Sequence, residues 1–173
     1  MATQTMVNAD VQLGCYAVKV RAQGEEAVAK ALRERGHDVL APMYTEVRRY
    51  SDRLKKVNCA LFPGYVFVQM DIETIMSVVS TNGVSYIVRT GRSFEPLSDD
   101  DVKTVEALCR GEEQCEPCDY LQVGQKVIIE EGTFAGLTGV LQRVRDENRV
   151  VVAVESLHRA VSVAIRSSAL RLV

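Results

Sequence analysis

The apolar pattern of this chain changes period once, and that change limits the folds open to it. Up to residue 110, short apolar runs alternate with stretches of helical spacing. From Val123 to Val173 helical spacing is absent, and valine-rich runs are separated by turns. The pattern predicts two units of different class, an α+β unit followed by an all-β one.

In the first unit, Cys15 to Val20 reads as a strand. A helix follows, with Glu25 and Glu26 in its first turn, Val28, Ala31 and Leu32 on one face, and Gly36 as its stop. Val39, Ala41 and Met43 alternate as in a strand. Tyr44 to Val57 is polar and basic, with a turn near Ser51 and Asp52. The dense apolar run Tyr65 to Met70 predicts a central strand. Asp71 is placed to cap a second helix with an apolar stripe of Ile72, Ile75, Met76 and Val79. Val84 to Arg89 returns to a strand. A third helix starts at Ser98, with Asp101 completing a variant capping box and Val102, Val105 and Leu108 on one face. The order β-α-β-β-α-β-α predicts a ferredoxin-like sheet with its helices on one face.

Residues 111–119 (GEEQCEPCD) are polar and read as a linker that lets the two units move independently. Five short strands then follow, Lys126–Ile129, Val140–Val144, Val150–Val154, Ala160–Ile165 and Leu170–Val173. They predict a small SH3-like β-barrel. The expected division is a disordered leader over 1–12, an N-terminal domain over 13–110, the linker, and a barrel over 120–173.

Charge narrows the partners. The formal net charge is −2, with 25% charged residues. Tight, sequence-blind duplex binding needs a basic excess that this chain lacks, so a protein is the expected principal partner. Five cysteines at irregular spacing do not form a secreted disulfide framework and fit a reducing cytoplasm. No apolar run approaches the ~20 residues of a membrane span.

Two segments stand out. The first is Leu61-Phe62-Pro63-Gly64-Tyr65-Val66-Phe67-Val68-Gln69-Met70. The second is Val123-Gly124-Gln125-Lys126-Val127 with Gly132-Thr133-Phe134-Ala135-Gly136-Leu137-Thr138-Gly139-Val140. In both, glycine permits sharp turns and close backbone approach. On composition alone Phe62 and Tyr65 are as well suited to a core as to a surface. Phe134, at a turn tip, reads as a plug of the barrel. Arg48, Arg49, Arg53, Lys55 and Lys56, interleaved with Tyr50, read either as a solvated hairpin or as a phosphate-facing one.

Together the two segments resemble the NusG family, an N-terminal NusG domain followed by a barrel with the KOW motif. The resemblance covers roughly Cys15 to Val173. It implies a regulator of transcription elongation or antitermination without catalytic activity. It places Phe62, with Leu61, Pro63 and Tyr50, in an apolar patch that grips the β′ clamp helices of RNA polymerase, the domain also reaching the opposite side of the cleft. It sets the basic hairpin near upstream-fork DNA. It assigns the loop at Leu157, His158 and Arg159, with Phe134, to a second partner, either the ribosome through a small-subunit protein or termination factor Rho. Family members commonly carry an aromatic at Leu157 and a glycine at His158. These departures argue against Rho and for a specialised paralogue serving long operons. A general factor that also supports Rho, and a KOW-containing RNA-binding or ribosome-associated protein, are the alternatives.

Catalysis finds no support. His37 and His158 are the only histidines and are far apart, and no phosphate- or dinucleotide-binding glycine motif occurs. Cys115-Glu116-Pro117-Cys118 is a CxxC with only Cys109 nearby as a third thiol, short of a zinc set. No metal or cofactor is expected.

Overall fold

The computed structural model describes residues 13–111, 114–118, 124–144 and 147–173. The expected leader, the boundary at 119/120, Val123 and the turn residue Asp146 lie outside them.

The first sheet has four strands, β1 (Leu13–Val20), β2 (Asp38–Leu40), β5 (Tyr65–Asp71) and β6 (Val84–Ile87), in the order β2-β5-β1-β6. Every neighbouring pair is antiparallel. β3 (Met43–Arg49) and β4 (Leu54–Ala60) form a separate hairpin. The strand expected across Val39, Ala41 and Met43 is broken after Leu40, where Pro42 supplies no N–H for a ladder.

β1 and β5 lie at the centre and are apolar on both sides. Their register sets Val18 opposite Val66 and Ala17 opposite Phe67. Period-2 alternation then sends Tyr16, Val18, Val20, Val66, Val68 and Met70 to one core and Cys15, Ala17 and Phe67 to the other.

α1 (Glu25–Glu34) seals the first core with Val28, Ala29 and Leu32. Its end is closed by Gly36 N–H donating to Arg33 O and His37 N–H to Leu32 O, a Schellman arrangement. α2 (Ile75–Val79) covers the same face. Its expected stripe is corrected: Asp71 caps a 3₁₀ turn at Ile72–Thr74 before α2 begins, which changes the phase. Val78 is buried, whereas Met76 is 71% exposed.

α3 (Asp99–Arg110) lies on the opposite face, so the helices do not share one side. Ser98 caps it, its Oγ accepting from Asp101 N–H at 3.2 Å.

The second sheet has six antiparallel strands rather than five. They are β7 (Cys115–Cys118), β8 (Gln125–Ile129), β9 (Thr138–Val144), β10 (Glu147–Val154), β11 (Arg159–Ala164) and β12 (Leu170–Leu172), in the order β12-β8-β9-β10-β11-β7. The extra strand comes from the expected linker. β7 pairs with β11, and Arg149 fastens it through Glu116 at 3.0 Å while donating to Ser162 Oγ. Gly139 is required by close packing, because a Cβ there would lie 2.5 Å from Val150 Cγ1 and 2.6 Å from Val151 O.

The two sheets do not move apart freely in this state. Phe67, Leu97, Val105 and Leu108 belong to the same apolar cluster as Phe134, Val150, Val152, Val154, Val161 and Val163. α3 is packed against β10.

Candidate functional site

The segment Phe62 to Tyr65 forms one tight turn at the entry to β5. Tyr65 N–H donates to Phe62 O at 3.0 Å, Pro63 occupies the second position and Gly64 has φ of +82°. These are the marks of a type II turn, whose third position favours glycine. A buried carboxylate fixes the turn: Gly64 N–H donates to Glu25 Oε1 at 2.6 Å, and Glu25 is only 6% exposed. Glu25 reads from sequence only as favourable charge in a helix's first turn.

The turn sends its rings in different directions. Phe62 is 1% exposed and meets Phe67 edge-on, with centroids 5.4 Å apart. Leu61 is equally buried. The exposed patch expected for these two is therefore absent in this state, because the side of the first sheet that carries them is the one that the second sheet covers. Leu61 lines a cavity of about 520 Å³ at that seam, together with Gln114, Cys115, Glu116 and Arg149. Tyr65 is half-buried between two cations, with Lys19 Nζ 4.4 Å and Arg159 Cζ 5.8 Å from its ring centre. Arg159 comes from the second sheet, so this stack crosses the seam.

Phe134 is 1% exposed, as a plug should be, but what it fills is the seam. A Cβ on Gly111, at the end of α3, would come within 3 Å of its ring.

The loop of Leu157, His158 and Arg159 follows a 3₁₀ turn at Glu155–Leu157. Leu157 is half-buried, and His158 and Arg159 are exposed. His158 has φ of 47°, a left-handed conformation in which glycine is unstrained. The turn is held by Asp101 of α3, whose Oδ1 accepts from Glu155 N–H at 2.9 Å and whose Oδ2 accepts from Ser156 N–H at 3.1 Å and from Ser156 Oγ. Sequence reading finds only the capping role of Asp101. The available signal is that Asp99, Asp100 and Asp101 run together and only Asp101 is buried, at 3% exposure.

The basic residues are gathered on the β3–β4 hairpin, away from the turn's buried rings. Tyr50, 48% exposed, stands at its tip. Arg48 faces Lys55 directly across the ladder, Arg49 faces Leu54, and Val47 faces Lys56. Like charges directly opposite are unfavourable in isolation and are relieved by an anion. Glu46 partly offsets this with a 3.0 Å ion pair that raises the Arg48 pKa. Arg49, Arg53, Lys55 and Lys56 are exposed and have no ion pair among the described residues.

The cysteines do not converge. In extended β7 the Cα atoms of Cys115 and Cys118 are about 10 Å apart, too far for a disulfide between them. Burial pushes the Cys15 thiol up to about 12. Among the described residues no three His, Cys, Asp or Glu side chains are grouped to hold a metal ion, and no helix is long and apolar enough to cross a membrane.

Comparison with known proteins adds the family context. The NusG family model, described as transcription termination factor nusG, matches residues 15–106. A transcription termination/antitermination protein NusG of Thermus thermophilus is 30% identical over 141 residues, covering 75% of this chain and 77% of its own. One from Helicobacter pylori is 26% identical over 147 residues, covering 78% and 83%. A solved structure described as domain interaction in Thermotoga maritima NusG is 24% identical, covers 92% of this chain and 97% of its own, and superposes with a TM-score of 0.61. That last likeness concerns the fold.

Proposed function

The chain belongs to the NusG family of transcription termination/antitermination factors, and on that premise we propose that it is a non-enzymatic elongation and antitermination factor that binds RNA polymerase and reduces pausing. In this reading residues 13–110 are a ferredoxin-like NusG domain, residues 111–119 connect the units, and residues 120–173 are a KOW barrel. Leu61, Phe62 and Pro63, with Tyr50, meet the β′ clamp helices, while the domain reaches the opposite side of the cleft. Holding both sides favours the closed clamp over the paused state by differential binding. Arg48, Arg49, Arg53, Lys55 and Lys56 lie near upstream-fork DNA. Leu157, His158, Arg159 and Phe134 serve a second partner, the ribosome through a small-subunit protein. The protein acts in the cytoplasm on a set of long operons.

The observation that supports this best is the Phe62–Tyr65 turn, built within the family match and anchored by Glu25. The near-neutral composition favours a protein partner over RNA alone. The test is a purified transcription assay with the full chain, with and without Rho. Pause lifetimes should fall, with no stimulation of Rho-dependent termination. Clear stimulation of Rho would replace this reading with that of a general factor. RNA binding without any effect on polymerase would replace it with that of an RNA-binding protein.

A further inference from the structure

We propose that Asp101 is a latch that holds the second sheet over the Leu61–Phe62 face, so that one carboxylate controls access to two partner surfaces. The assignment of those surfaces rests on the function proposed above.

The latch is defined by its geometry. Asp101 is a charged side chain at 3% exposure, and its two oxygens accept from two successive backbone N–H groups and one hydroxyl, all in residues 155–156. Hydrogen bonds to an ionised acceptor are about twice as strong as neutral ones. Within its own helix Asp101 needs none of them, since Ser98 already caps the turn. Its carboxylate is also well placed when the seam opens, because it sits in the first turn of α3, where negative charge is favoured, and water can replace its partners. Both states therefore satisfy the group, which suits a contact that opens and closes.

The same closure hides both surfaces. The Glu155–Leu157 turn runs directly into His158 and Arg159, and Arg159 is engaged on Tyr65. Leu61 and Phe62 are buried on the covered side. A ligand of either surface binds the open form, so each must favour binding of the other by the same factor.

Hydrogen exchange on the full chain tests the latch without any partner. Asp101→Asn keeps the side-chain volume but gives up charge, and its amide cannot accept all three bonds. Exchange at the Glu155 and Ser156 amides should rise by about 10- to 100-fold. Val66 and Val68, on the other side of the first sheet, should remain protected and report an intact fold. Ser156→Ala removes only the hydroxyl bond and leaves α3 untouched, so a rise of about 3- to 10-fold is expected. Unchanged protection at 155–156 in both variants would overturn the latch. Polymerase binding by Asp101→Asn then separates the two ideas. Tighter binding supports both, whereas faster exchange with unaltered polymerase affinity keeps the latch and removes the covered face as the polymerase surface.

Discussion

The two sides of the first sheet are made by the same central strands and are sealed in opposite ways. On one side α1, a few residues from β1, packs Val28, Ala29 and Leu32 onto Val18, Val66 and Val68. On the other, α3 gives only partial cover, and the rest comes from a second sheet built more than 40 residues after Phe67. The first seal is hydrocarbon. The second adds a buried carboxylate with three donors and a cation–aromatic stack. A cover held by polar contacts at its edge can leave at lower cost than one built from the core, since water replaces the contacts it loses. The difference marks the α3 side as the working surface.

Three substitutions would sharpen or break this comparison. Leu32→Ala removes a fully buried side chain from the permanent seal and should destabilise the chain by about 2–5 kcal/mol in urea unfolding. A loss below about 1 kcal/mol would mean that the α1 side can collapse, and the contrast would fail. Gly111→Ala acts on the other side, forcing a methyl into the Phe134 ring. A cost of about 1–3 kcal/mol is expected, met by opening the seam, so exchange should rise at 155–156 and not at Val66. Loss of protection at both places would show that the two sides unfold as one. The smallest effect belongs to His158→Gly, which relieves a left-handed residue and should stabilise the closed form by up to about 1 kcal/mol. A lower melting temperature for this variant would show that contacts of the imidazole outweigh the strain.

Local pattern revealed those parts of the fold that local physics decides. β1, α1, β5 and the valine-rich strands are legible because their period matches the surface they bury. The phase of α2 is not, because one cap at Asp71 turns a 3₁₀ segment before the helix and leaves Met76 in solvent. β7 is not, because four residues with a proline carry no alternation; Pro117 is tolerated since β7 is the edge strand. In the candidate site, the turn at Phe62–Tyr65 and the basic hairpin follow from their residue types. The burial of Phe62 does not, because period says that a face is apolar and not what will cover it. Asp101 satisfies a local rule at Ser98, and its decisive partners are more than 50 residues away.

The pairing of β7 with β11 has a consequence for how far the cover can travel. Because Cys115 moves with the second sheet, the true leash is the stretch from Arg110 to Cys115, which reaches about 18 Å at full extension. A module on so short a tether remains at an effective concentration on the order of millimolar beside its own docking face. Another copy of the chain cannot compete at ordinary protein concentrations. The opened form persists only while a partner occupies one of the uncovered surfaces, and when that partner leaves the molecule resets itself.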